Sequence, residues 1–392
     1  MSKIFILFIF SINLSLFGGW AEEKLQELTI EERIGQLFIV PACPRYESET
    51  LKNLLKKYHI GAIIVKQGHP LQQVPFLNEL QKSSDLPLLC TGDAEWGLGM
   101  RMEETLSFPK NGILGRKENW EFIPHVGKLI GEQCRIVGIH LNFAPVVDVN
   151  NNEMNPVIGV RSFGSDPQDV AYCSALMVQG MKKGGVLTCA KHFPGHGDTN
   201  IDSHKGLPRI SHPRERLERM EFIPFKTAIA GGVDAVMTGH LMVPALDPIL
   251  PATLSHPIVT GLLQEEWGFK GLVITDALNM KALSENYEVG EVAVRALLAG
   301  HDLLLYGAHR YDDVHLLLTE VIPIACQAIR DAYREGKISK QALDQHVLKV
   351  LQVKEKLRLH IDRLIPLPDD LMEILNSTKV KEGIELGKNF LK

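Results

Sequence analysis

The stretch VLTCAKHFPGHGDTNIDSH, Val186 to His204, changes character in its middle. Val186 to Ala190 is a continuous apolar run, the composition of a strand buried on both faces. Lys191 and His192 end it, and Pro194, Gly195 and Gly197 then argue against a regular helix. A buried strand therefore runs straight into a polar loop. The same event recurs along the chain. Short runs rich in β-branched residues or leucine lie at Leu37–Ala42, Ile60–Lys66, Pro87–Asp93, His140–Val149, Val186–His192, Ala235–His240, Gly271–Leu278 and Asp302–Tyr306. Segments of helical period separate them. Glu291 to Ala299 is one, ended by Gly300. A second follows Ser211, with Pro213 near its start and apolar Leu217, Met220, Ile223 and Phe225. Another spans about Ser339 to Leu357. Eight strand–helix alternations in about 300 residues predict an α/β fold, a (β/α)8 barrel. A doubly wound open sheet is the alternative, and no G-x-G-x-x-G follows the first run to support its dinucleotide-binding form.

A barrel places its chemistry at the C-terminal ends of its strands. Five runs end in ionisable groups there: Asp93, Asp148, the Lys191–His192 pair, His240 and Asp276. One acid after a strand is usually a helix cap or a turn residue; five such ends together point to a site. Asp276 directly follows Leu272 to Thr275 and reads as either a buried cap or a working carboxylate. In the quoted loop, Asp202 and His204 are two apart, so an extended backbone puts both on one face. A carboxylate bonded to one imidazole nitrogen fixes its tautomer and leaves the other nitrogen to move a proton. His192, His196, Asp198, Asp202 and His204 also make a metal site a competing reading, as is a polar loop without chemistry.

Composition narrows the partners. The 392 residues are 45% hydrophobic and 23% charged with a net charge of −5, which gives no basic footprint for nucleic acid. Six cysteines form no CxxC pair and read as buried free thiols. The N-terminus carries Lys3, an apolar stretch from Ile4 to Phe17, and Gly19 and Ala21 at the −3 and −1 positions of a cleavage site. Residues 1–21 read as a signal peptide, giving a periplasmic or secreted protein; a cytoplasmic one is the alternative. No later segment is long and apolar enough to span a membrane.

KHFPGHGDTNIDSH at 191–204, DAEWGLGMR at 93–101, NFAPVVDVN at 142–150, VIGVRSFG at 157–164 and VITDALNM at 273–280 together resemble bacterial β-N-acetylhexosaminidases of glycoside hydrolase family 3, of the NagZ type. The similarity runs from about residue 25 to 360, leaving 361–392 as a tail. The resemblance implies a single catalytic barrel, no cofactor and no metal. It implies Asp276 as nucleophile, His204 as acid/base and Asp202 as its orienting partner. It implies that Asp93, Arg101, Arg161, Lys191 and His192 hold a terminal N-acetylglucosamine. The implied reaction is retaining hydrolysis of peptidoglycan fragments or chitin oligosaccharides. A phosphorylase on the same scaffold and a metal-dependent hydrolase are the alternatives. Many members read D-x-E-G-G in the first motif, where this chain has Asp93-Ala94-Glu95-Trp96-Gly97. The spacing from Asp93 to Arg101 is kept.

Overall fold

A computed structural model describes residues 19–46, 48–203, 205–307 and 311–388. Each of the eight apolar runs contains a strand: β1 Phe38–Ala42, β2 Ala62–Val65, β3 Leu89–Gly92, β4 Leu141–Asn142, β5 Leu187–Phe193, β6 Ala235–Thr238, β7 Leu272–Thr275 and β8 Leu304–Leu305. All pair in parallel, in the order β7-β6-β5-β4-β3-β2-β1-β8. A bridge between Ile274 and Leu303 brings β7 to β8 and closes the ring. The fold is the (β/α)8 barrel that the alternation predicts.

The period of two along each strand sorts the side chains. Ile39, Ala62, Ile64, Leu89, Leu141 and Leu305 fill the barrel interior, while Phe38, Val40, Ile63, Val65 and Cys90 pack outward in the larger core shared with the helices. The helix Lys340–Lys356 plugs the N-terminal end, with Val350 and Val353 joining the interior cluster. Ser339 caps it by accepting the Ala342 N–H at 3.1 Å. All six cysteines are free and buried.

Some elements differ from the sequence reading, for local reasons. The segment after Ser211 forms two helices, Arg214–Arg219 and Phe222–Ala230, rather than one. The break at Met220 puts Pro224 in the first turn of the second helix, where its missing N–H leaves no gap. The fourth run is a strand only at Leu141–Asn142, because Pro145 has no N–H to give the ladder. Helix Val289–Ala299 does end at Gly300, whose φ of 117° is the left-handed conformation that favours glycine.

The signal-peptide reading falls mostly on residues 1–18, outside the described part. The described end of that segment is built into the domain. Helix Trp20–Glu27 places Ala21 in the core, and Trp20 stacks on His360 at 4.9 Å. A cut after Ala21 would remove two packed residues. Beyond residue 361, Leu371, Leu375, Val380 and Ile384 join the main core, so the described part of the C-terminal tail is packed on the barrel. No helix among the described residues is long and apolar enough to cross a membrane.

Candidate active site

The strand ends converge on a cavity of about 840 Å³ at the C-terminal mouth. Asp93, Arg101, Arg161, Lys191, His192 and Asp276 all line it. Asp148 lies beneath its floor, fully buried, and Asp202 sits on the loop above without lining it. His204 lies outside the described residues.

A register slip against β6 shapes one wall. Lys191 faces Met237 and Phe193 faces Thr238, so His192 is an extra residue. A bulge re-aims side chains. Here it lets consecutive Lys191 and His192 both reach the cavity, while Phe193 packs edge-on against Phe225 and Trp267. Asp148 fixes His192: its carboxylate is 2.8 Å from Nδ1 and accepts the backbone N–H groups of His192 and His196 at 3.2 and 2.7 Å. Burial raises the Asp148 pKa, but the His192 ring, His196 and the His196 N–H outweigh it and hold the carboxyl below its ordinary value. With Nδ1 committed to Asp148, Nε2 is the nitrogen left for a ligand.

The charged wall is an ion-pair network. Lys191 Nζ lies 3.0 Å from Asp93 and 2.8 Å from Glu95. Arg101 reaches Asp93 at 3.1 Å, and Arg161 grips Glu95 with two bonds of 2.9 and 2.7 Å. Burial pushes both carboxyls up. The neighbouring cations win: Lys191 and Arg101 hold Asp93 far below the carboxylate range, and Arg161 and Lys191 hold Glu95 at about 2. Breaking such a network strands a buried charge, so its geometry is held tightly. Asp93 and Lys191 both line the cavity, and a paired acceptor and donor of this kind suit sugar hydroxyls.

Asp276 stands across the cavity, at the tip of β7. Its Oδ1 accepts the Ala277 N–H at 2.7 Å. Burial raises its pKa, yet His240, His192 and that N–H together lower it below the ordinary aspartate value. The side chain is thus an anion at neutral pH. His240 does not line the cavity; its Nε2 bonds the Ala277 carbonyl at 2.9 Å and its Nδ1 bonds Thr253 at 2.8 Å, which locks the turn that carries Asp276.

The loop after β5 is anchored at its stem. Asn155 donates to the carbonyls of His196 and Gly197 at 2.8 and 2.9 Å, and His212 bonds Asp198 at 2.5 Å. His196 is buried between Thr199 and Ser203, and burial drives its pKa down to about 4. Near the tip, the Ser203 carbonyl accepts the Ala282 N–H at 3.3 Å, which joins this loop to the one after Asp276. Asp202 is half-buried there, and its backbone carbonyl accepts the N–H groups of Lys205 and Gly206. Among the described residues no group of three or more His, Cys, Asp or Glu is arranged to hold a metal ion.

Two site residues were not singled out by the sequence reading. Glu95 was quoted within a motif without a role, and Lys66 ends the second run. The signal for both was position, Lys66 one residue and Glu95 three residues beyond a strand. The far wall was also unforeseen: Leu278, Met280, Tyr287, Val289 and Leu317 make it apolar.

The glycosyl hydrolase family 3 N-terminal domain model matches residues 29–353. The chain belongs to glycosyl hydrolase family 3. It is 34% identical over 334 residues to Beta-hexosaminidase A of Pseudoalteromonas piscicida, covering 78% of this chain and 55% of that protein. It is 31% identical over 339 residues to Beta-hexosaminidase LpqI of Mycobacterium tuberculosis, covering 83% of each. A solved family 3 β-N-acetylglucosaminidase from Paenibacillus superposes with a TM-score of 0.82 at 38% identity, over 92% of this chain and 68% of that one. The chain thus spans little more than half the length of the first of these relatives.

Proposed function

We propose that this family 3 chain is a retaining, exo-acting β-N-acetylglucosaminidase. One observation carries the reading: an ionised carboxylate, Asp276, faces a rigid wall of paired charges across a cavity that suits a sugar. Asp93, Arg101, Arg161, Lys191 and His192 bind the terminal sugar. Asp276 attacks its C1 while His204, oriented by Asp202, gives a proton to the leaving oxygen. A glycosyl ester on Asp276 results. His204 then takes a proton from water, which attacks C1 and frees the sugar with Asp276 restored. The names of the relatives, β-hexosaminidase and β-N-acetylglucosaminidase, support N-acetylglucosamine as the sugar. The substrates we assign are peptidoglycan fragments, with chitin oligosaccharides as further ones. The reaction uses no cofactor. The apolar N-terminus supports export, which sequencing the N-terminus of the mature protein tests.

The test is turnover of 4-nitrophenyl N-acetyl-β-D-glucosaminide, with and without EDTA and added phosphate. EDTA-resistant release of N-acetylglucosamine with the β-anomer formed first is expected. Sugar 1-phosphate as product would make the protein a phosphorylase, and EDTA sensitivity would revive a metal site.

A further inference from the structure

The chemistry above leaves a buried lysine at the mouth unused. Lys66 follows β2 directly, is 5% exposed and lines the cavity. Arg101, Arg161 and Lys191 each hold a carboxylate within 3.1 Å. Lys66 has no hydrogen bond or ion pair through its ammonium among the described residues. The charges that act on it are Asp93 and Arg101 after β3, Asp276 after β7 and Lys191 on β5. It therefore looks into the space between the nucleophile and the sugar-binding wall.

Burial disfavours the Lys66 ammonium, and no acceptor among the described residues bonds it where it meets the cavity, so its N–H groups are open to a bound molecule. A methionine would fill the same volume without that cost. The missing acceptor is not an anion, since Asp93 and Asp276 face the same space. A neutral oxygen fits, and a sugar lying between those carboxylates presents several. We propose that Lys66 donates hydrogen bonds to a hydroxyl of the bound terminal sugar and is a specificity-determining residue of this chain. The inference rests on the glycosidase reading. Burial lowers the Lys66 pKa to about 8, with Asp93 and Asp276 resisting and Arg101 and Lys191 assisting, so its stronger donor form is lost as pH rises through that value.

The test compares wild type with Lys66→Met on 4-nitrophenyl N-acetyl-β-D-glucosaminide and its 3-, 4- and 6-deoxy analogues. On the parent glycoside, kcat/KM should fall roughly 10- to 100-fold. For the analogue lacking the partnered hydroxyl, the two proteins should agree within about threefold. The wild-type profile of kcat/KM should decline above about pH 8, and the variant should lack that limb. Lys66→Gln, a neutral donor, supplies the same pH comparison if Lys66→Met does not fold. An equal penalty on all three analogues, or none on the parent, would overturn the proposal while leaving the glycosidase reading intact. A wild type that neither cleaves the parent nor binds N-acetylglucosamine would instead overturn that reading.

Discussion

Two lysines are buried at opposite ends of this barrel. Lys66 stands at the C-terminal mouth and Lys354 at the base, where its Nζ bonds Gln36 Oε1 at 2.6 Å. Burial lowers both, to about 8 and about 7. Their surroundings differ. Carboxylates and an open cavity face Lys66; a single neutral amide meets Lys354, which is fully buried among plug and barrel residues. The same physics therefore serves different ends. Charge at the mouth is available to a ligand, whereas charge at the base acts on stability alone.

The largest effect that separates the two ends belongs to Asp276. Asp276→Ala should lower kcat roughly 10⁴-fold with circular dichroism unchanged, and a drop below tenfold would move the nucleophile elsewhere. Glu95→Ala should break the division, because it is a mouth residue that also holds structure. It leaves Arg161 and Lys191 buried without their shared carboxylate, so urea unfolding should show a loss of about 3–5 kcal/mol along with weaker sugar binding. Lys354→Met should sharpen the division. The folded-state pKa of Lys354 is depressed, so the unfolded chain keeps its proton to higher pH. Its penalty is full below about pH 7 and fades toward ~10.4. Wild-type stability relative to the variant should therefore rise with pH across that window, with turnover per folded molecule unchanged. Lys66 carries the same sign over a narrower window, but it alone should alter the pH profile of turnover. The smallest effect is expected for His212→Ala, which removes a part-exposed bond to Asp198 at the loop stem. Unfolding should shift by less than about 1 kcal/mol, while kcat falls through loosening of the loop that carries Asp202.

Much of this division was legible in the sequence. Eight apolar runs pointed to the barrel, and the five that end in ionisable groups pointed to its working end, since strands buried on both faces leave an unmistakable composition. Asp93, Arg101, Arg161, Lys191, His192 and Asp276 were each placed on a strand end or in a quoted motif, and all line the cavity. The supporting roles were less visible. Nothing in one dimension shows that Asp148 turns under His192, that His240 braces the Ala277 turn, or that Glu95 bridges two cations, because each contact joins different strands. The bulge at His192 was hidden for the same reason: register belongs to a strand pair. How the tail packs was not legible because Leu371, Leu375, Val380 and Ile384 are spread thinly among polar residues and find their partners only on the barrel.

The most direct test of the account is covalent trapping. The protein would be incubated with a fluorinated N-acetylglucosaminyl fluoride that forms the glycosyl ester faster than water removes it, then digested and mapped by mass spectrometry. The account expects one sugar on the peptide holding Asp276 and none on Asp276→Ala. A label on another residue, or rapid turnover with no adduct, would contradict it.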